Sequence, residues 1–93
     1  MYFDARNDLV AVGTDNVQLS PARNRSEIVI TNTSAAAQKI TISFGSPATS
    51  GAGVVLTPYS VYFASNTSGF NVYQGDIFVI SDGAAGQLSV FER

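Results

Sequence analysis

The chain has 93 residues with no Cys and no His, and only 13% of them are charged, against about 25% in an average globular domain, with a formal net charge of −2. These numbers exclude disulfides, Ser-His-Asp and Cys-His catalysis and the usual zinc ligands, and they leave no basic stripe for nucleic acid. The length suits one domain able to bury its own core, with a surface built from Ser, Thr, Asn, Gln and Gly rather than from charge.

Residues 1–8 hold Tyr2, Phe3, Asp4, Arg6 and Asp8 without a clear period and are expected to form an N-terminal arm, with a β domain over 9–93. They include no apolar core of a secretory leader. No run in the chain approaches the ~20 apolar residues of a membrane helix, and no basic amphipathic stretch suits a membrane surface. Leu9–Val12 and Val17–Ser20 flank Gly13-Thr14-Asp15-Asn16, whose residues favour a turn, so 9–20 are expected to form a hairpin. Pro21 ends it.

The clearest strand is Ser26-Glu27-Ile28-Val29-Ile30-Thr31-Asn32, β-branched and alternating, with Ile28 and Ile30 inward. Ser34-Ala35-Ala36-Ala37 is too short for a lone helix and is taken as a turn. Lys39–Phe44 alternates with Ile40, Ile42 and Phe44 inward. Gly45–Gly53 is a surface loop that lacks the Gly-Lys-Ser/Thr ending of a phosphate loop. Val54–Thr57 is a short strand ended by Pro58, and Ser60–Ala64 is another, with Val61 and Phe63 expected inside. Ser65–Gly69 turns into the short extended piece Phe70–Tyr73. Ile77–Ser81 and Gln87–Glu92 follow, separated by Asp82-Gly83-Ala84-Ala85-Gly86. Seven to eight short strands at roughly ten-residue spacing predict an all-β fold, a single small sandwich or barrel of mainly antiparallel strands.

Ile77-Phe78-Val79-Ile80 is apolar at both parities, so either its own chain or a second subunit covers its outer side. Val29, Val79 and Phe91 are expected on outer faces, which favours an oligomer. Arg23 and Arg25 flank the central strand; they suit a carboxylate on a neighbour, or, as structure, solvent or a pair with Glu27 or Glu92.

Signals for chemistry are few. Asp76, Asp82 and Glu92 could in principle supply a carboxylate pair, although Asp76 and Asp82 equally suit turns. Asp15, Asn16 and Asp82-Gly83 are weak calcium candidates without the Asp-x-Asp-x-Asp-Gly spacing. Asn66-Thr67-Ser68 fits the N-glycosylation pattern formally. Tyr59, Tyr62 and Tyr73 are either a sugar-stacking platform or core-edge residues with wet hydroxyls. The expected protein is no enzyme and takes no cofactor.

The runs Val12-Gly13-Thr14, Val17-Gln18-Leu19, Pro21-Ala22-Arg23-Asn24-Arg25 and Ile28-Val29-Ile30-Thr31-Asn32 are followed by Ile42-Ser43-Phe44-Gly45, Gly53-Val54-Val55-Leu56, Val72-Tyr73-Gln74-Gly75-Asp76-Ile77, Ile80-Ser81-Asp82-Gly83-Ala84-Ala85-Gly86 and Val90-Phe91-Glu92. Over about residues 10–93 this resembles the small β-sandwich virion proteins of tailed bacteriophages, of the head-decoration, cement or head-fibre kind. The resemblance implies a capsid decoration protein, made in the host cytoplasm and bound outside the phage head. It implies the major capsid protein as partner, a homo-oligomer with a trimer favoured, and neither nucleic acid nor membrane as ligand. The alternative is a receptor- or glycan-binding β module of a tail or fibre. The residues expected at a partner interface are Tyr2, Phe3, Arg6, Arg23, Arg25, Val29, Tyr62, Val79 and Phe91, with Tyr2 and Phe3 as aromatic anchors of the arm.

Overall fold

A computed structural model describes residues 5–35, 37–66 and 72–93. Among them are eight strands: β1 (Arg6–Val12), β2 (Val17–Ser20), β3 (Glu27–Asn32), β4 (Ile40–Phe44), β5 (Val54–Leu56), β6 (Val61–Ser65), β7 (Ile77–Ser81) and β8 (Gly86–Glu92). They form two four-stranded antiparallel sheets, β1-β8-β3-β6 and β2-β7-β4-β5. No α-helix occurs among the described residues. The protein is the expected all-β sandwich.

Alternation builds the core. Ile28 and Ile30 of β3, Leu88 and Val90 of β8 and Val12 of β1 project from one sheet. Ile40 and Ile42 of β4, Ile77 and Val79 of β7, Leu19 and Leu56 project from the other. Burying these β-branched and aliphatic side chains between two pleated layers is the main stabilising term. Phe44 closes one end of the layer, with its ring 5.4 Å from that of Tyr62 and 5.3 Å, edge-on, from that of Tyr73.

The hairpin expected over 9–20 does not form. β1 pairs with β8 along seven residues, from Arg6↔Glu92 to Val12↔Gly86, and β2 pairs with β7. Residues 13–16 carry the chain across the core instead, so Val12 and Leu19 enter it from opposite layers. A four-residue turn serves either purpose, and the long register offered by β8 decides the outcome. The strand also begins at Arg6, so residues 6–8 belong to the sheet rather than to an arm. Tyr2 and Phe3 lie outside the described residues.

β4 and β5 are the one consecutive pair that shares a ladder; every other connection between consecutive strands passes from one sheet to the other. The β4–β5 loop, residues 45–53, folds over the outside of its sheet. There Gly51 N–H donates to Thr41 Oγ1 at 2.9 Å, and Ala48 N–H reaches Asn16 Oδ1 at 2.6 Å. Asn16 precedes β2, and β7 lies between β2 and β4, so the loop spans the outer face of β7. This accounts for the doubly apolar β7: Val79 points into the core, and half-buried Phe78 and Ile80 lie on the side that the loop crosses. Val79, expected on an outer face, is fully buried because it stands opposite the core residue Ile42 of β4 and shares its inward parity.

Candidate docking face and the ion cluster beside it

The outer face of the β1-β8-β3-β6 sheet carries two cross-strand rows. Phe63, Val29, Phe91 and Asn7 stand directly opposite one another from β6 to β1. Val61, Thr31, Ser89 and Leu9 form the next row. Leu9 is 68% exposed, Phe63 55% and Val61 53%, while Val29 and Phe91 are half-buried by their neighbours. They leave contiguous apolar groups in water, which makes this face the candidate docking surface. At the margin, Glu27 is neutralised by Arg93, Nε to Oε1 3.0 Å. The rest of the two rows is Thr, Ser and Asn, so the face is neutral and apolar.

Val29 and Phe91 lie on this face as expected. Val61 and Phe63 were expected inside and are outside, because Ile28↔Ala64 and Ile30↔Tyr62 pair on the core side. The segment Val61-Tyr62-Phe63-Ala64 is apolar at both parities, so its own alternation leaves the phase open. Leu9 sits in a strand whose inner residues, Val10 and Val12, are equally apolar. Tyr62 faces the core and packs on Phe44, as does Tyr73, so these two do not form a sugar platform with exposed Tyr59.

The three arginines expected at an interface converge instead on one carboxylate. Glu92 is fully buried. It accepts from Arg25 Nε at 2.7 Å, from Arg6 Nη1 at 2.7 Å and from Ser20 Oγ at 2.9 Å, and Arg23 Nη1 lies 3.8 Å away. Arg25 is buried too, which removes it from any partner surface. Its Nη1 donates to the carbonyls of Tyr73 and Gly75, and its Nη2 to Ser20 Oγ and the Pro21 carbonyl. With the Nε bond to Glu92, all five of its N–H donors are used. Arg6 and Arg23 are about one-quarter exposed and line the outer side of the cluster. Arg6 also holds Asp8.

Burial alone would raise the Glu92 pKa, but the hydrogen bonds from Arg25, Arg6 and Ser20 and the Arg25 charge outweigh it and leave it lowered. Burial likewise works to lower the Arg6 pKa, and its bonds to Asp8 and Glu92 leave it raised. The cluster joins both sheets, since Glu92 and Arg6 come from β8 and β1 and Ser20 from β2. Its chemistry is that of a closed structural network: all five Arg25 donors are used, and no buried polar side-chain atom among the described residues lacks a partner.

The other carboxylates hold loops. Asp76 Oδ1 accepts from Ala22 N–H at 2.8 Å, and Asp82 Oδ1 from Lys39 N–H at 3.0 Å. No group of three or more Asp or Glu residues close enough to share a metal ion occurs among the described residues. Asn66 is exposed at the end of β6, and the rest of its glycosylation pattern falls outside the described residues. Comparison with known protein families, curated proteins and solved structures found no match to this chain.

Proposed function

We propose that this chain is a structural virion module, a decoration or cement protein that binds the outside of a tailed-phage head and bridges its major capsid subunits. The observation that carries the docking role is the neutral apolar face Phe63–Val29–Phe91 with Leu9 and Val61 beside it. The phage assignment is supported by the sequence resemblance over residues 10–93. A rigid sandwich offering such a face suits repeated attachment to a lattice of identical subunits. Each contact is modest, and many of them stabilise the assembled shell by mass action.

The test adds purified protein to head particles that lack it and follows attachment and thermal disruption of the shell. Attachment that raises the disruption temperature, and that is weakened by Leu9→Ser with Phe63→Ser, is the expected result. No attachment, or attachment to tail fibres or host glycans only, overturns the reading.

A further inference from the structure

Two of the four sheet edges are blunted in familiar ways and a third is short. β1 carries Arg6 and Asp8, and β2 contains a register shift between Gln18 and Ser20. β5 has three residues and is bracketed by Gly53, at φ 135°, and Pro58. These are devices that stop edge-to-edge pairing. β6 has none of them: Val61-Tyr62-Phe63-Ala64-Ser65 bears no charge and no Pro, and no strand among the described residues lies on its outer edge.

The direction of its backbone groups follows from its flanks. Asn32 N–H donates to the Ser60 carbonyl at 3.1 Å, and Asn66 N–H to the Ser26 carbonyl at 2.9 Å. Antiparallel alternation then makes Tyr62 and Ala64 the residues bonded to β3, and turns the N–H and C=O of Val61 and Phe63 outward. The side chains of these same two residues are more than half exposed.

We infer that this edge pairs with the β6 edge of a second copy, antiparallel about a two-fold axis at Tyr62. In that register Val61 of one copy faces Phe63 of the other, and the four outward groups on each copy close four inter-chain hydrogen bonds. An isologous contact sets each residue against its own surroundings. A charge-free edge therefore meets no like charge, and the Val61–Phe63 contact is a favourable β-branched–aromatic pair. Residues opposite one another in a ladder point to the same side, so the two apolar outer faces become one eight-stranded surface. A face doubled in this way docks bivalently. The inference concerns the isolated protein and stands whether or not the head-shell reading holds.

Sedimentation velocity over a concentration series tests it, together with cysteine cross-linking, which the cysteine-free chain makes specific. The wild type should associate to a dimer. Phe63→Lys should abolish the dimer while leaving the melting temperature of the fold in place, and Leu9→Lys, on the same face but the opposite edge strand, should leave the dimer intact. Paired residues here lie about 5.5 Å apart between Cα atoms, within the roughly 4.4–6.8 Å that a disulfide spans. Mild oxidation of mixed Val61→Cys and Phe63→Cys proteins should therefore give a covalent dimer that neither gives alone. A strict monomer, a trimer, a dimer lost equally with Leu9→Lys, or cross-linking of Phe63→Cys with itself overturns the inference.

Discussion

Arg25 Nε lies 2.7 Å from Glu92 Oε1, and both side chains are wholly removed from solvent. A buried pair gives little net stability relative to a well-packed apolar pair of the same shape, because desolvating two charges offsets most of their attraction. Removing one member is different, since it strands the other charge in the interior. The pair therefore acts as a lock between the end of β8 and the segments around Ser20, Tyr73 and Gly75.

Arg25→Ala is expected to destabilise the fold by about 3–5 kcal/mol, read from urea or thermal denaturation. Arg6→Ala removes a partly exposed donor to the same carboxylate while Arg25 and Ser20 remain, and should cost less than about 2 kcal/mol. Deleting residues 1–8 should be at least as damaging as Arg6→Ala, because it also removes the start of β1. Equal effects of Arg25→Ala and Arg6→Ala would show that burial does not set the hierarchy.

Acid should unlock the same cluster. The pKa of Glu92 in the fold lies below its ordinary 4.5. Its contribution is thus complete above that unfolded value and is lost as the pH falls through the lower, folded one. The urea midpoint of the wild type should drop between neutral pH and pH ~3 more steeply than that of Glu92→Gln, which is less stable at neutral pH but has no charge to lose. Parallel pH profiles for the two proteins would remove Glu92 from the acid response.

Gly53 adopts φ 135°, and a Cβ there would sit 2.5 Å from the Ile42 carbonyl oxygen. Gly53→Ala should cost about 1–3 kcal/mol, and more if the β4–β5 ladder shifts to relieve the contact. At Gly13 a Cβ would meet nothing within 4 Å. Gly13→Ala should change stability by less than about 0.5 kcal/mol, and calorimetry on the two variants gives the contrast directly.

Tyr59 takes φ 64° at the second central position of the Thr57–Ser60 turn, which is closed by Ser60 N–H to the Thr57 carbonyl at 3.0 Å. That position favours Gly or Asn, and the tyrosine is 73% exposed, so its ring gains little from packing. Tyr59→Asn is expected to raise stability by roughly 1 kcal/mol. On a domain of this size that is a gain of some 4–8 °C in melting temperature. A fall in melting temperature would show that the ring supports the turn.

Much of the strand inventory was legible because alternation is local. Ile28 and Ile30 in β3, and Ile40 and Ile42 in β4, announce their inward parity within six residues, and Pro21, Pro58 and the glycine-rich turns mark the ends. Where both parities are apolar the signal fails. Val61-Tyr62-Phe63-Ala64 and Ile77-Phe78-Val79-Ile80 each admit two phases, and the wrong one moves every side chain to the opposite face. The apolar outer face was half legible for this reason: Val29 and Phe91 could be placed on it, but Phe63 and Val61 could not.

Local pattern was enough for the class: a weakly charged, cysteine-free all-β domain with its principal strands and turns. Strand partners belong to the tertiary structure. β1 takes β8 rather than its neighbour β2 because the seven-residue ladder is available only once the chain ends meet. The gathering of Arg6, Arg25 and Ser20 around Glu92, up to 86 residues apart in sequence, is equally beyond local pattern. Periodicity records which way a side chain points within its own strand. Which strands share a sheet, and which charges share a buried site, is set by long-range contacts whose loop-closure cost is met only when the whole core forms.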